Sequence, residues 1–301
     1  MHLDDELLTG ENLDAVVAFA RRSNPFAQRN WGWDAGRFMD WRWGSNTRSE
    51  AEHPGWFADH CRVFRSDGRL AAVAIAEYGG EDVCVITEGP DAAVLESVFA
   101  ALIERRADDG VGLRFEVADT AAWLRPVFDR IGFVETPRTG TEWEYELAGV
   151  PDSSCAPAGF MIESLAEDRS ATYDGIAECV RRAFNSEHDI RSALESLEAN
   201  PMFRAELSVF ARSPDGRIAA YCRGTVDPGN GVCGIDPVCT DPDFRRLGLG
   251  RAVVQQCFRT LRSLGGLFCY IGSAPEPAPS TYLYQSLDPF SKTVFSKWGR
   301  L

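Results

Sequence analysis

Residues 240–251 read Thr-Asp-Pro-Asp-Phe-Arg-Arg-Leu-Gly-Leu-Gly-Arg. The run joins an apolar stretch, Gly231 to Cys239, to a helical pattern beginning near Arg251. Gly248 and Gly250 follow a basic pair and stand at the start of that helix. Without side chains they let backbone N–H groups turn inward and approach an anion closely. The unsatisfied first-turn donors and the positive end of the helix dipole then face the same point. Ordinary turns that open helices also use glycine, so the surroundings decide between the two readings. Competing phosphate motifs fit worse. The chain has no Gly-x-x-x-x-Gly-Lys-Ser/Thr run. Its one Gly-x-Gly-x-x-Gly, at Gly229, Gly231 and Gly234, leads into a strand pattern rather than a helix.

With 301 residues the chain is long enough for two domains of ordinary size. Hydrophobic residues make up 45%, which supports a sizeable core and argues against disorder. A formal net charge of −14 argues against a nucleic-acid binder and is compatible with a cationic substrate or with simple solubility. The nine cysteines include no Cys-x-x-Cys pair, and the four histidines have no His-Glu-x-x-His spacing. Neither structural zinc nor a disulfide scaffold is expected, and no metal site is assigned. The acidic N-terminus lacks a basic, then apolar, leader, and no apolar run approaches bilayer length. The expectation is a cytoplasmic protein that binds no membrane, with monomer and homodimer both open.

The stretch Leu147 to Phe160, rich in Gly, Pro, Ser and Asp, reads as a linker between similar halves. Asp67-Gly68 and Asp215-Gly216 each sit between β-rich runs, a hairpin signal. Long amphipathic helix patterns follow, Ala92 to Arg106 and Gly250 to Leu264, and then a short helix ending in an aromatic. Each half thus reads helix, helix, hairpin strands, strand, helix, strand, helix, strand. From Gly68 to Phe99 is 31 residues; from Gly216 to Phe258 is 42. The excess of 11 is assigned partly to the turn Asp227–Gly231 and otherwise to the surroundings of the glycine loop. At that loop the first half has Thr87-Glu88-Gly89-Pro90-Asp91, whose acids disfavour an anion. Phe128 stands where the second half has Tyr284.

The spacing Arg245-x-x-Gly248-x-Gly250 after Pro242-x-Phe244 resembles the signature of the GNAT acetyltransferase superfamily, and Asp236 to Arg245 is similar to its fourth strand and the turn after it. The resemblance implies an α/β (mixed α+β) chain of two tandem GNAT folds, each a mixed, mostly antiparallel sheet flanked by helices. A degenerate first copy would span 1–149, a linker 150–157, and an acetyl-CoA-binding copy 158–301. The tandem layout is similar to that of mycothiol synthase-like proteins. The resemblance gives Arg245, Arg246, Leu247, Gly248, Leu249, Gly250 and Arg251 to the pyrophosphate of acetyl-CoA, mostly through backbone amides. It gives Val238, Cys239 and Thr240 to the pantetheine arm, along a strand splayed from its neighbour.

Tyr284, in Leu283-Tyr284-Gln285-Ser286-Leu287, resembles the family's Leu-Tyr-x-x-Leu-Gly-Phe helix, whose tyrosine protonates the departing thiolate. Here Asp288-Pro289-Phe290 replaces the Gly-Phe; packing between helix and sheet is the alternative role for the ring. Asp236 is a candidate general base, or else a strand-edge partner of an arginine; alternation puts it on the face of Thr240. Glu187 and His188 lie between two predicted helices, either bordering the acceptor or as a solvated loop. Trp31, Trp33, Trp41, Trp43 and Trp56 read as domain packing, as a pocket lining, or as stacking platforms. The expected activity is direct acetyl transfer from acetyl-CoA to a small-molecule primary amine. A non-catalytic acyl-CoA-binding module and a protein N-acetyltransferase are the alternatives.

Overall fold

A computed structural model describes residues 3–44, 47–107, 112–152, 156–166 and 172–300. The first half runs β1 (Asp4–Leu7), α1 (Leu13–Trp31), α2 (Ala35–Trp43), α3 (Thr47–Glu52), α4 (Trp56–His60), β2 (Cys61–Ser66), β3 (Arg69–Ile75), β4 (Asp82–Ile86), α5 (Ala92–Ala107), β5 (Leu113–Ala118), α6 (Arg125–Ile131) and β6 (Val134–Glu146). The second runs β7 (Met161–Ser164), α7 (Thr172–Phe184), α8 (Ile190–Ser196), β8 (Ser208–Arg212), β9 (Ile218–Asp227), β10 (Val232–Thr240), α9 (Leu249–Ser263), β11 (Phe268–Ser273), α10 (Thr281–Gln285) and β12 (Ser291–Arg300). The order expected from sequence is present in both halves. The additions are β1 and β7, four residues each, too short to carry an alternation signal, and α3 and α4. Both Asp-Gly turns form hairpins, with Asp67, Gly68 and Gly216 at positive φ.

All twelve strands join one sheet in the order β1-β2-β3-β4-β5-β12-β6-β11-β10-β9-β8-β7. The pairs β4–β5 and β10–β11 are parallel and the rest antiparallel. The halves exchange their last strands. The first half's β6 pairs with β11, the second half's β12 pairs with β5, and β6 and β12 pair with each other. Side chains follow the exchange. Trp143 and Tyr145 of β6 are buried in the second half's core with Phe258 and Leu261 of α9. Trp298 of β12 packs on the first half's core, stacked on Phe128 at 5.1 Å. Each buried aromatic contributes roughly 2–3 kcal/mol, so the exchange ties the halves together energetically. We propose the repeat boundary at 150–157, and the strand pairing crosses it; residues 153–155 of that linker lie outside the described residues.

The 11 extra residues of the second half fall differently from the sequence expectation. The turn after β9 is 228–231, two residues shorter than the 76–81 turn after β3. Most of the excess lengthens strands: β9 has ten residues against seven in β3, and β10 nine against five in β4. The stretch between β10 and α9 takes most of the remainder.

Candidate active site

Just after β10, Asp241 is buried and fixes the loop. Burial alone would raise its carboxyl; the Asp243 amide and the Arg182 and Arg217 guanidiniums hold it below the usual carboxylate range. A short 3-10 turn, Pro242–Phe244, follows. Arg246 (φ 68°) and Gly248 (φ 82°) then take left-handed conformations, and Gly248 is the N-cap of α9. Residues 245–248 are exposed, and the first-turn amides of α9 have no intrahelical acceptor. A Cβ on Gly250 would lie 3.2 Å from Thr240 Oγ1 and 3.3 Å from Leu283, so glycine lets α9 approach β10 and α10 more closely than a side chain would without these neighbours shifting. Arg245 donates to the carbonyls of Thr240 and Ala183 at 3.3 and 3.1 Å. Its side chain clasps the loop, while Arg246, Leu247 and Arg251 are exposed beside it.

The first half is built oppositely at the same place. Asp91 precedes α5, and its carboxylate accepts from the amides of Ala93 and Val94, both at 3.0 Å. Those donors are occupied by the chain's own anion. Glu88 pairs with Arg22 at 2.6 Å.

Beyond the loop, β10 leaves its neighbour. Parallel pairing with β11 covers Val232 to Gly234 against Phe268 to Tyr270. β11 continues along β6 as far as Ser273, and β10 along β9 as far as Thr240. A gap therefore opens along the edge of β10 that carries Val238, Cys239 and Thr240. Where it opens, Asp236 and Pro237 together face a single position of β9, a bulge between Ile235 and Val238. This corrects the alternation expected from sequence: the extra residue puts Asp236 and Thr240 on opposite faces. Thr240 faces Gly250 of α9, and Asp236 lines a cavity on the other face.

Tyr284 lies on α10 at that gap, buried and packed against Trp143 with ring centroids 6.3 Å apart. Tyr145 Oη donates to the Tyr284 carbonyl at 2.9 Å, so a strand of the first half holds this helix in place. Burial, then the nearby Asp236 charge, pushes the Tyr284 phenol far above its ordinary value, and it stays protonated at neutral pH. The altered helix end turns at Asp288 (φ 59°) and docks through Phe290 N on the Glu144 carbonyl at 2.7 Å.

The cavity has a volume of about 540 Å³ and lies between the halves. Asp34, Arg37, Asp40 and Trp41 come from the α1–α2 region of the first half, Glu142 from β6, and Tyr221, Arg223 and Asp236 from the second half. Asp40 holds Arg223 through two contacts, the longer 3.1 Å, and accepts from Asn200. Glu77 holds Arg37 at 2.8 Å. Asp34 caps α2 by accepting from Arg37 N, and burial raises its carboxyl to about 6, with Asp40 and Asp236 adding to the rise. Burial raises Glu142 to about 8 against the hydrogen bond from Gln28.

Of the residues singled out from sequence, Asp236 lines the cavity; Tyr284 lies outside its lining but close enough to feel the Asp236 charge; and Thr240 and the Tyr284 helix, through Leu283, meet Gly250 of the glycine loop. Glu187 and His188 are exposed and stand outside the cavity lining, although Ile190 is part of it. Trp31 and Trp33 are buried packing, and Trp41 lines the cavity. Asp34, Asp40, Glu142 and Arg223 carry no local motif. Glu142 alternates with Trp143 and Tyr145 and reads as a solvent-facing position, but α1 covers it through Gln28.

Glu142 makes a stability prediction. Its carboxyl ionises at 4.5 when unfolded and about 8 when folded. Folding therefore favours the protonated form, and the destabilisation is absent below the unfolded pKa and grows as pH rises toward 8. Glu142→Gln should leave the melting temperature near its wild-type value at about pH 4 and raise it above about pH 8. Thermal unfolding across pH checks this; a difference independent of pH would contradict it.

These features are those of an acyltransferase. Residues 170–288 match the family model described as Acetyltransferase (GNAT) family, and this segment is a GNAT acyltransferase domain. The whole chain is similar in fold to a GCN5-related N-acetyltransferase from Sphaerobacter thermophilus (15% identity, 98% of this chain and 95% of that one, TM-score 0.60). It is equally similar to a tandem GNAT protein from the clavulanic acid biosynthesis pathway (14% identity, 98% of both chains, TM-score 0.60). A GCN5-related N-acetyltransferase from Kribbella flavida matches at 16% identity over 76% of this chain and 86% of that one, with TM-score 0.54. No curated protein matches. Among the described residues, no helix is long and apolar enough to cross a membrane.

Proposed function

We propose that this protein is an acetyl-CoA-dependent N-acetyltransferase that acts on a small-molecule primary amine, with transfer in the second half. The observation that carries the reading is the gap between β10 and β11, which lies between an uncapped glycine loop and a carboxylate-lined cavity. The residues fit the cosubstrate: the loop offers uncapped first-turn amides with a close approach at Gly250, and the edge of β10 offers backbone hydrogen-bonding groups from Ile235 onward. Acetyl-CoA would supply the activated acetyl group. Arg246 to Arg251 would cradle its phosphates through backbone amides, and Val238, Cys239 and Thr240 would hold its arm.

Asp236 would take a proton from the acceptor ammonium, directly or through water, leaving a neutral amine. A backbone N–H at the splay, that of Val238 next to the donor-less Pro237, would stabilise charge developing on the carbonyl oxygen. As the C–N bond forms and the C–S bond breaks, the nitrogen would lose its second proton to water, while Tyr284 Oη would give its proton to the sulfur and regain one from solvent. The cavity's walls come from both halves, which supports a small acceptor over a polypeptide. The likeness to mycothiol synthase is one of layout and supplies no acceptor. The eight described cysteines are unpaired thiols, which supports a reducing, cytoplasmic setting.

Thiol release from acetyl-CoA, followed across a panel of primary amines, tests the reading. Amine-dependent release is expected. Acetyl-CoA binding with no release for any amine would favour a non-catalytic module instead.

A further inference from the structure

The cavity beside Asp236 continues into a second one of about 220 Å³ that shares Gly32, Arg37, Glu142, Gly272 and Ser273 with it. Together they form an elongated trough. Asp40, Glu77, Asp236, Asp34 and Glu142 line the first part, and Glu116 the second. Arg37 and Arg223 are the cations among the described lining residues, and each is already paired, with Glu77 and Asp40. Asp34, Glu142 and Asp236 form no ion pair of their own among the described residues; the Arg37 charge reaches Asp34 and Glu142 but is shared with Glu77, and burial still raises both carboxyls. One of these carboxyls packs against backbone left bare by glycine: a Cβ on Gly234 would lie 3.0 Å from Asp34 Oδ2.

Tyr221 and Arg223 line the trough from the second half, with Arg223 held by Asp40. No group of three potential metal ligands occurs among the described residues, so the carboxyls are spread along the trough rather than gathered on one ion.

We propose that the acceptor carries at least two amino groups, one reacting beside Asp236 and a second, kept as an ammonium, held between Asp34 and Glu142. This rests on the acetyltransferase reading and adds the substrate class, a small di- or polyamine. It also gives the first half a function, because Asp34 and Glu142 both belong to it. Burial that raises both carboxyls makes them costly to ionise alone, and a bound ammonium removes that cost.

Calorimetric titration of the full-length protein with butane-1,4-diamine and with butylamine, at about 0.15 M salt, isolates the second ammonium. The diamine should bind at least about tenfold more tightly, as expected for one charge-assisted contact. The double variant Asp34→Asn, Glu142→Gln should lose that preference; asparagine at 34 can still cap α2. Equal affinities, no diamine binding, or a preference that survives in the double variant would each overturn the proposal. Coenzyme A titrated into both proteins is read separately. Equal coenzyme A affinity shows the double variant folded. A wild type that prefers the diamine but binds no coenzyme A would overturn the acyl-transfer reading and leave the diamine site standing.

Discussion

Gly248→Asp is expected to abolish acetyl-CoA binding while the fold persists. The substitution puts a carboxylate at the start of α9, as Asp91 stands at the start of α5 and satisfies its first-turn amides. A carboxylate about 4 Å from a phosphate oxygen costs up to ~4 kcal/mol at the protein surface. Since ~1.4 kcal/mol is tenfold in Kd, affinity should fall by about 100-fold or more. The substitution also touches stability. A left-handed φ of 82° disfavours any side chain and is not the extended backbone from which a cap reaches the amides, so stability falls by ~1 kcal/mol, less for Asp than for most residues. A Cβ at 248 meets nothing nearer than Pro157 at 4.0 Å, so the fold persists. An unchanged Kd would remove the loop from cofactor binding.

Tyr284→Phe should lower kcat by on the order of 100-fold, the usual scale for a positioned general acid, with acetyl-CoA affinity retained. The ring keeps its packing on Trp143, and its carbonyl keeps the bond from Tyr145, because neither involves the hydroxyl. The first half displays the variant already: Phe128 sits in the matching helix, fully buried among Phe99, Phe115 and Phe133. Turnover equal to wild type would make Tyr284 a packing residue only.

What could be read from sequence was local. The glycine loop needs residue types at fixed spacing, and α9 was placed to within a residue at each end because its apolar face repeats regularly. The two hairpins followed from Asp-Gly pairs that tolerate positive φ. Asp91, whose carboxylate satisfies the first-turn amides of α5, was also legible as an acid at that position. The bulge at Asp236 was not, because the sequence offered alternation and the extra residue appears only in the pairing with β9. The exchange of β6 and β12 was hidden for a related reason. Strand patterns show which face is buried, not which strand lies alongside. The acidic trough was least legible. Asp34, Glu116, Glu142 and Asp236 are far apart in the chain, and each looks like an ordinary cap, edge or surface carboxylate until the halves close on one another.

The number of acetyl-CoA molecules bound per chain bears on the whole reading, and calorimetric titration of the full-length protein measures it. One site per chain is expected, located in the second half and lost in Gly248→Asp. No binding would mean that the exposed loop after β10 is only a turn, and two sites would mean that Asp91 does not close the first half to the cofactor.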